Sequence, residues 1–285
     1  MKSICIIADS TAQFPQPAFL GRSSIRFLPL DIRAGGVNLG EDGDIKVSSF
    51  PARASHGFLP QLHLHQPELL HQYVIDLEKA YDEILFLVHS SALSPVYDEL
   101  KRALVPFGGH TNISLIDTQT IGPGLGMLAQ LCSELAAKGL PLVEIERLLR
   151  VQIPHIYAVF CTPNHSYLHN SGFLDAAQSK VSEMLNLFGV FTLEEGRLNP
   201  VEKVKNHRSV TEIFQEFMEE FENIRSISIV QSNPPASAEV RALRQYAEET
   251  FGKTPISEHP ISPHVAAIMG PRTLGMFVVE FVKLA

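Results

Sequence analysis

The stretch that decides the fold is Ile84-Leu85-Phe86-Leu87-Val88-His89-Ser90-Ser91-Ala92-Leu93-Ser94-Pro95. Its apolar run, residues 84–88, shows no polar alternation, which suits a strand buried on both faces. The run ends in a polar cluster, and Ser94 before Pro95 reads as the N-cap and first-turn pair of a helix. The same design recurs at residues 4–8, ending in Asp9-Ser10-Thr11, and at residues 113–116, ending in Asp117-Thr118. Helical spacing follows in the intervals. Leu69, Leu70, Val74 and Leu77 mark residues 68–80, and Met127, Leu128, Leu131 and Leu135 mark residues 126–137, stopped by Gly139. Alternation of this kind predicts an α/β fold, with a mainly parallel N-terminal sheet and flanking helices.

The second half reads as α+β. Strands are expected at residues 155–161, 187–193, 227–230 and 276–281, with helices at residues 210–221 and 237–251. Glu194-Glu195-Gly196-Arg197 lies between two extended pieces and reads as a hairpin turn. Two domains are expected, residues 1–153 and 154–285, in keeping with a length of 285 residues.

Composition narrows the function. Hydrophobic residues at 45% against 19% charged exclude a disordered or fibrous chain. With 23 basic and 31 acidic residues the net charge is −8, which argues against a broad nucleic-acid surface. Cys5, Cys132 and Cys161 form no CxxC pair, so reduced structural thiols in a cytoplasmic protein are expected. No cleavage-site pattern follows the short apolar start. The apolar run at residues 84–88, which no aliphatic or aromatic run exceeds, falls far short of the ~20 residues of a membrane span.

Ligands of open parallel sheets bind outside the carboxyl ends of the strands. That rule selects Asp9-Ser10-Thr11, the segment from Ser90 to Pro95, and residues 117–126. A hydroxyl at Ser94, beside the free amides of a helix start, can meet a carboxylate or phosphate; a pure capping role is the competing reading. The loop at residues 121–126 precedes a helix but is no phosphate loop, since no GK[ST] follows and Pro123 lacks an N–H. Close packing of that helix is its simpler role. His63, His65 and His71 lack a carboxylate or cysteine cluster nearby and read as surface or pocket histidines, not metal ligands. No serine sits in a GxSxG elbow. Lys203, Lys205, His207 and Arg208 read as a solvated loop before a helix.

These segments, taken in order, resemble the DegV family. The resemblance is carried by Ala8-Asp9-Ser10-Thr11-Ala12, Gln66-Pro67 and the run from Ser90 to Tyr97. It continues through Asp117 with its Gly-rich helix start, Tyr167-Leu168 before Ser171-Gly172, the stretch from Gly196 to Lys203, and Gly270-Pro271. It implies a bacterial, non-catalytic lipid-binding protein that encloses one long-chain fatty acid between two domains, with the acyl chain in a tunnel. It implies no cofactor, and it implies presentation of the ligand to a separate ATP-dependent fatty acid kinase subunit. Ser94 is then the first head-group contact, assisted by Ser91 or His65. Where family members place Thr, Arg and His, this chain has Leu64, Phe173 and Ile268, and Arg272 replaces a glycine. Two alternatives stay open. One is a degenerate paralogue that takes a neutral apolar ligand or acts through a protein partner. The other is a small serine hydrolase using one of the histidines.

Overall fold

The computed structural model describes residues 3–39, 45–55, 58–109 and 112–282. In the first half the elements are β1 (Ile4–Asp9), β2 (Ile25–Leu28), β3 (Leu30–Ala34), β4 (Val37–Asn38), β5 (Pro60–Leu64), α1 (Leu70–Ala80), β6 (Glu83–Val88), α2 (Val96–Ala103), β7 (Ile113–Asp117), α3 (Pro123–Ala137) and α4 (Leu142–Gln152). A single 3₁₀ turn, Ile153–His155, leads into the second half. There follow β8 (Ile156–Thr162), α5 (His165–Asn170), α6 (Ala176–Met184), β9 (Phe188–Glu194), β10 (Arg197–Val204), α7 (His207–Glu219), β11 (Ile224–Gln231), α8 (Ser237–Phe251), β12 (Ile256–Pro260), α9 (Pro263–Met269) and β13 (Leu274–Glu280).

The first sheet is parallel, in the order β2-β1-β6-β7. Its two central strands are buried at every residue, which is why their sequences run apolar without alternation. The second sheet has six strands, β10-β9-β8-β13-β11-β12, antiparallel except between β11 and β12. At the β9–β10 turn, Glu195 and Gly196 both have positive φ, and Gly196 accommodates the close approach of Ser90.

Residues 25–64 hold structure that the apolar runs do not announce. Besides β2, they form a small antiparallel sheet, β4-β3-β5. β3 and β5 do alternate, with Leu30, Ile32 and Ala34 or Leu62 and Leu64 inward, but each for only five residues, too short a pattern to stand out beside the longer apolar runs. Helix starts also differ from expectation. Pro67–Leu69 form a 3₁₀ turn before α1, and α7 begins at His207 because the Asn206 side chain accepts the Ser209 N–H at 2.9 Å.

Two apolar clusters result. One lies against the outer face of the second sheet, where α7 and α8 supply Phe214, Met218, Val240 and Leu243. The other is continuous across both halves. It joins Ile6, Phe86 and Leu128 to Phe160, Tyr167, Phe191 and Phe277. Helix α9 belongs to it: every residue from His264 to Met269 is buried, and the helix packs on β5 and α5. The three cysteines are free and buried. Burial pushes the Cys5 thiol up to about 11, despite opposition from Arg26, and raises Cys132 and Cys161 further.

Glycine lets α3 press against the segment after β1. A Cβ on Gly126 would fall 2.0 Å from the Gln13 carbonyl oxygen. Gly126→Ala should therefore cost about 1–3 kcal/mol of stability through overpacking, read by urea unfolding. An unchanged midpoint would show that the Gln13 segment yields freely.

Candidate ligand-binding site

The chain leaves β1 to build β2 on one side, then returns to place β6 on the other. The point where strand order reverses therefore lies between β1 and β6. Asp9 ends β1 there, and His89 follows Val88 at the end of β6. Their side chains are fully buried and paired, with Asp9 Oδ2 2.8 Å from His89 Nδ1. The same oxygen accepts the His89 backbone N–H at 2.6 Å, and Oδ1 accepts the Thr11 N–H at 2.8 Å. Burial favours the neutral acid, but the adjoining His89 ring and the hydrogen bonds from His89 and Thr11 outweigh it and hold Asp9 below its ordinary value.

His89 extends this pair outward. Its Nε2 lies 2.6 Å from Ser94 Oγ, which also accepts the Val96 N–H at 3.3 Å. The helix starts one residue later than expected: Pro95 is the N-cap, and Ser94, just before it, holds the N–H of the first helical residue, Val96. Ser94 opens onto a cavity of about 270 Å³. The walls are β5 at Gln61 and Leu62, the loop Ser91–Pro95, the end of α5 at Asn170 and Ser171, and Ile268 of α9. Side chains stitch these walls together. Asn170 Nδ2 donates to the Pro60 carbonyl at 3.1 Å, and the Ser171 hydroxyl donates to the Ile268 carbonyl at 3.1 Å. Ser90 Oγ donates to the Gly196 carbonyl at 2.6 Å, tying the hairpin turn to the same loop.

Of the residues singled out from sequence, Ser91, Ser94 and Ile268 meet in this cavity. Ser91 spends its hydroxyl on Asp117. Leu64 is buried in the core on β5, and Phe173 packs half-buried against that core. His65 lies on another cavity, of about 220 Å³, with Leu28 and Tyr73, and its ring is 2.7 Å from Asp31. The Arg272 side chain is exposed and lines neither cavity; its backbone N–H donates to Asn164 Oδ1 at 2.8 Å. His63 pairs with Glu99 at 2.7 Å, and His71 lies against the Phe107 ring. Among the described residues no group of three His, Cys, Asp or Glu side chains is placed to hold a metal ion. Lys203 lies on β10, not in a loop, while exposed His207 and Arg208 open α7 and pair with Glu239 and Glu212. His89 is the residue that sequence reasoning missed. The available signal was a polar side chain placed directly after a wholly apolar strand.

A polar cleft at the switch point of a parallel sheet, closed by α5 and α9 of the second half across a shared apolar core, defines an α/β binding protein. Comparison makes this specific. The family model described as "Uncharacterised protein, DegV family" matches residues 3–280, and the chain belongs to the DegV family. A DegV domain-containing protein of Caldanaerobacter subterraneus subsp. tengcongensis is 26% identical over 220 residues, spanning 76% of this chain and 77% of the relative. A DegV family protein from Thermus thermophilus, solved with its fatty acid binding as the subject, superposes with a TM-score of 0.79. It is 23% identical, over 98% of this chain and 100% of its own. The Fatty Acid Kinase B3 protein of Streptococcus pneumoniae, loaded with linoleic acid, superposes with a TM-score of 0.78 at 18% identity, over 98% and 100% of the two chains. These likenesses bear out the mixed α/β fold and the family resemblance.

A carboxyl held below its ordinary value stabilises the fold above its unfolded pKa, about 3.9. That contribution is lost as the pH falls through the lower, folded value. Asp9→Asn should cost about 1–3 kcal/mol at neutral pH by leaving buried donors of His89 and Thr11 poorly paired. In urea melts the gap to the unmodified protein should narrow below about pH 4. A constant gap would mean that the carboxylate's charge contributes nothing.

Proposed function

We propose that this protein binds one long-chain fatty acid, with its head group at Ser94 and its acyl chain directed into the apolar seam between the two sheets. The observation that carries this reading is Ser94 itself. It sits at a helix start and the strand-order reversal, faces the cavity, and is held from behind by His89. Family membership supports it, as do the Thermus and pneumococcal relatives that bind fatty acids. The cavity, at about 270 Å³, is just below the roughly 300–1,000 Å³ of usual small-molecule sites. It accommodates a head group and the first carbons, while the rest of the chain enters by parting side chains such as Leu62, Leu93 and Ile268. Burying about fifteen methylenes contributes roughly 12 kcal/mol gross, enough to offset association and ordering costs of about 4–15 kcal/mol in part or whole.

The protein acts on this reading as a carrier rather than a catalyst. It presents the carboxylate to a separate ATP-dependent kinase subunit in the cytoplasm, and no cofactor of its own is required. Likeness to the pneumococcal kinase B3 protein supports the partnership. Ser94, His89 and Asp9 do stand in the order nucleophile, base and orienting group. Hydrolysis also needs donors for the oxyanion, and in the hydrolase elbow one comes from the residue after the serine. Here that residue is Pro95, which has no N–H. Binding is the better account.

Protein purified from a bacterial host should release a fatty acid on denaturation, identified by mass spectrometry of the lipid extract. Ser94→Ala should weaken fatty acid binding about ten- to hundredfold in calorimetric titration. A consistently lipid-free protein that stays indifferent to added fatty acids would overturn the proposal.

A further inference from the structure

A fatty acid bound with its head group at Ser94 creates a conflict of hydrogen-bond polarity. Asp9 accepts two backbone N–H groups and stays ionised, so the proton between it and His89 belongs to Nδ1. A singly protonated His89 then presents a bare Nε2, which takes the hydrogen of the Ser94 hydroxyl. Ser94 Oγ also receives the Val96 N–H, leaving a lone pair to face the cavity. A carboxylate has only acceptors. No Lys or Arg side chain lines the cavity among the described residues, so at Ser94 itself acceptor would meet acceptor, with no cation beside it.

A second proton on His89 reverses the chain. Nε2–H then donates to Ser94 Oγ, and the Ser94 hydroxyl hydrogen turns to the ligand. Resting on the fatty-acid reading, we infer that binding of an acyl carboxylate takes up one proton at His89, which switches Ser94 from acceptor to donor. The balance is simple: neutral His89, the carboxylate and one solvent proton become an imidazolium, backed by Asp9, facing a bound carboxylate. His89 is thereby a positioning residue that sets head-group specificity. A neutral head group with its own donor, such as a fatty alcohol, donates to Ser94 directly and takes up no proton.

The other charged groups near this corner are engaged elsewhere. Asp117, ending the strand beside β6, accepts from Ser91 and from the Gln119 N–H. Glu99 of α2 serves His63 and the Leu64 N–H, and Asp31 of β3 serves His65 and Arg33. Glu195 and Arg197 of the hairpin are exposed, and it is the Gly196 carbonyl between them that bonds Ser90. Asp9 is the charged side chain hydrogen-bonded to His89 among the described residues.

The test titrates the full chain, stripped of lipid, with dodecanoate and with dodecan-1-ol below their aggregation limits. As the pH rises the affinity for dodecanoate should fall, by up to about tenfold per unit, while that for the alcohol stays level. Calorimetry in buffers of differing ionisation enthalpy should count about one proton taken up per dodecanoate bound. His89→Gln, which cannot titrate, should flatten the dodecanoate profile. A level profile in the unmodified protein overturns the inference, as does a slope that persists in His89→Gln, because the ligand would then carry the proton. Should His89→Gln fail to fold, the proton count and the acid–alcohol contrast in the unmodified protein decide. Absence of binding by either probe at every pH overturns the fatty-acid reading itself, and the proton linkage with it.

Discussion

The buried pair of Asp9 and His89 is the constraint around which the rest is arranged. A carboxylate removed from water is costly unless donors surround it, and here three donors come from residues just beyond the ends of two strands. The His89 ring, the His89 backbone and the Thr11 backbone converge on one side chain. Meeting that demand fixes the ends of β1 and β6 against each other. It also fixes the direction in which the His89 ring points, and hence the place of Ser94 and the start of α2.

The second half secures the same corner from the opposite side. Its hairpin supplies a carbonyl to Ser90, and α5 and α9 close the cavity with side-chain bonds to backbone oxygens of both halves. Further bonds run the same way, from Asn164 to the Ala52 carbonyl and from Tyr167 to the Pro51 carbonyl. Such contacts set orientation more than they add stability, since a net hydrogen bond contributes only about 0.5–1.5 kcal/mol. The stability of the junction resides in the apolar cluster beneath them.

Long apolar runs made the parallel sheet legible, because a strand covered on both faces has no reason to alternate. Ser94 was legible for the same kind of local reason, a hydroxyl followed by proline. The small sheet at β3, β4 and β5 was not, because β3 and β5 alternate for only five residues each and β4 has only two. Nor was the partner of Ser94. Nothing in the spacing of Asp9 and His89, eighty residues apart, announces contact; that comes only from laying β1 beside β6. The departures at Leu64 and Phe173 from the family pattern point to a changed head-group environment, yet both side chains lie in or against the core rather than on the cavity wall.

The position of α9 bears on how the protein is made. Among the described residues it is the last helix, yet it fills the core beneath β5 of the first half. The strand that follows it, β13, lies between β8 and β11 in the second sheet. During synthesis the N-terminal half emerges with an apolar groove that nothing upstream can fill, and the second sheet waits for an inner strand. Both vacancies close only when α9 and β13 have left the ribosome, so the nascent chain exposes sticky surface until then and depends on whatever holds such surfaces apart in the cell.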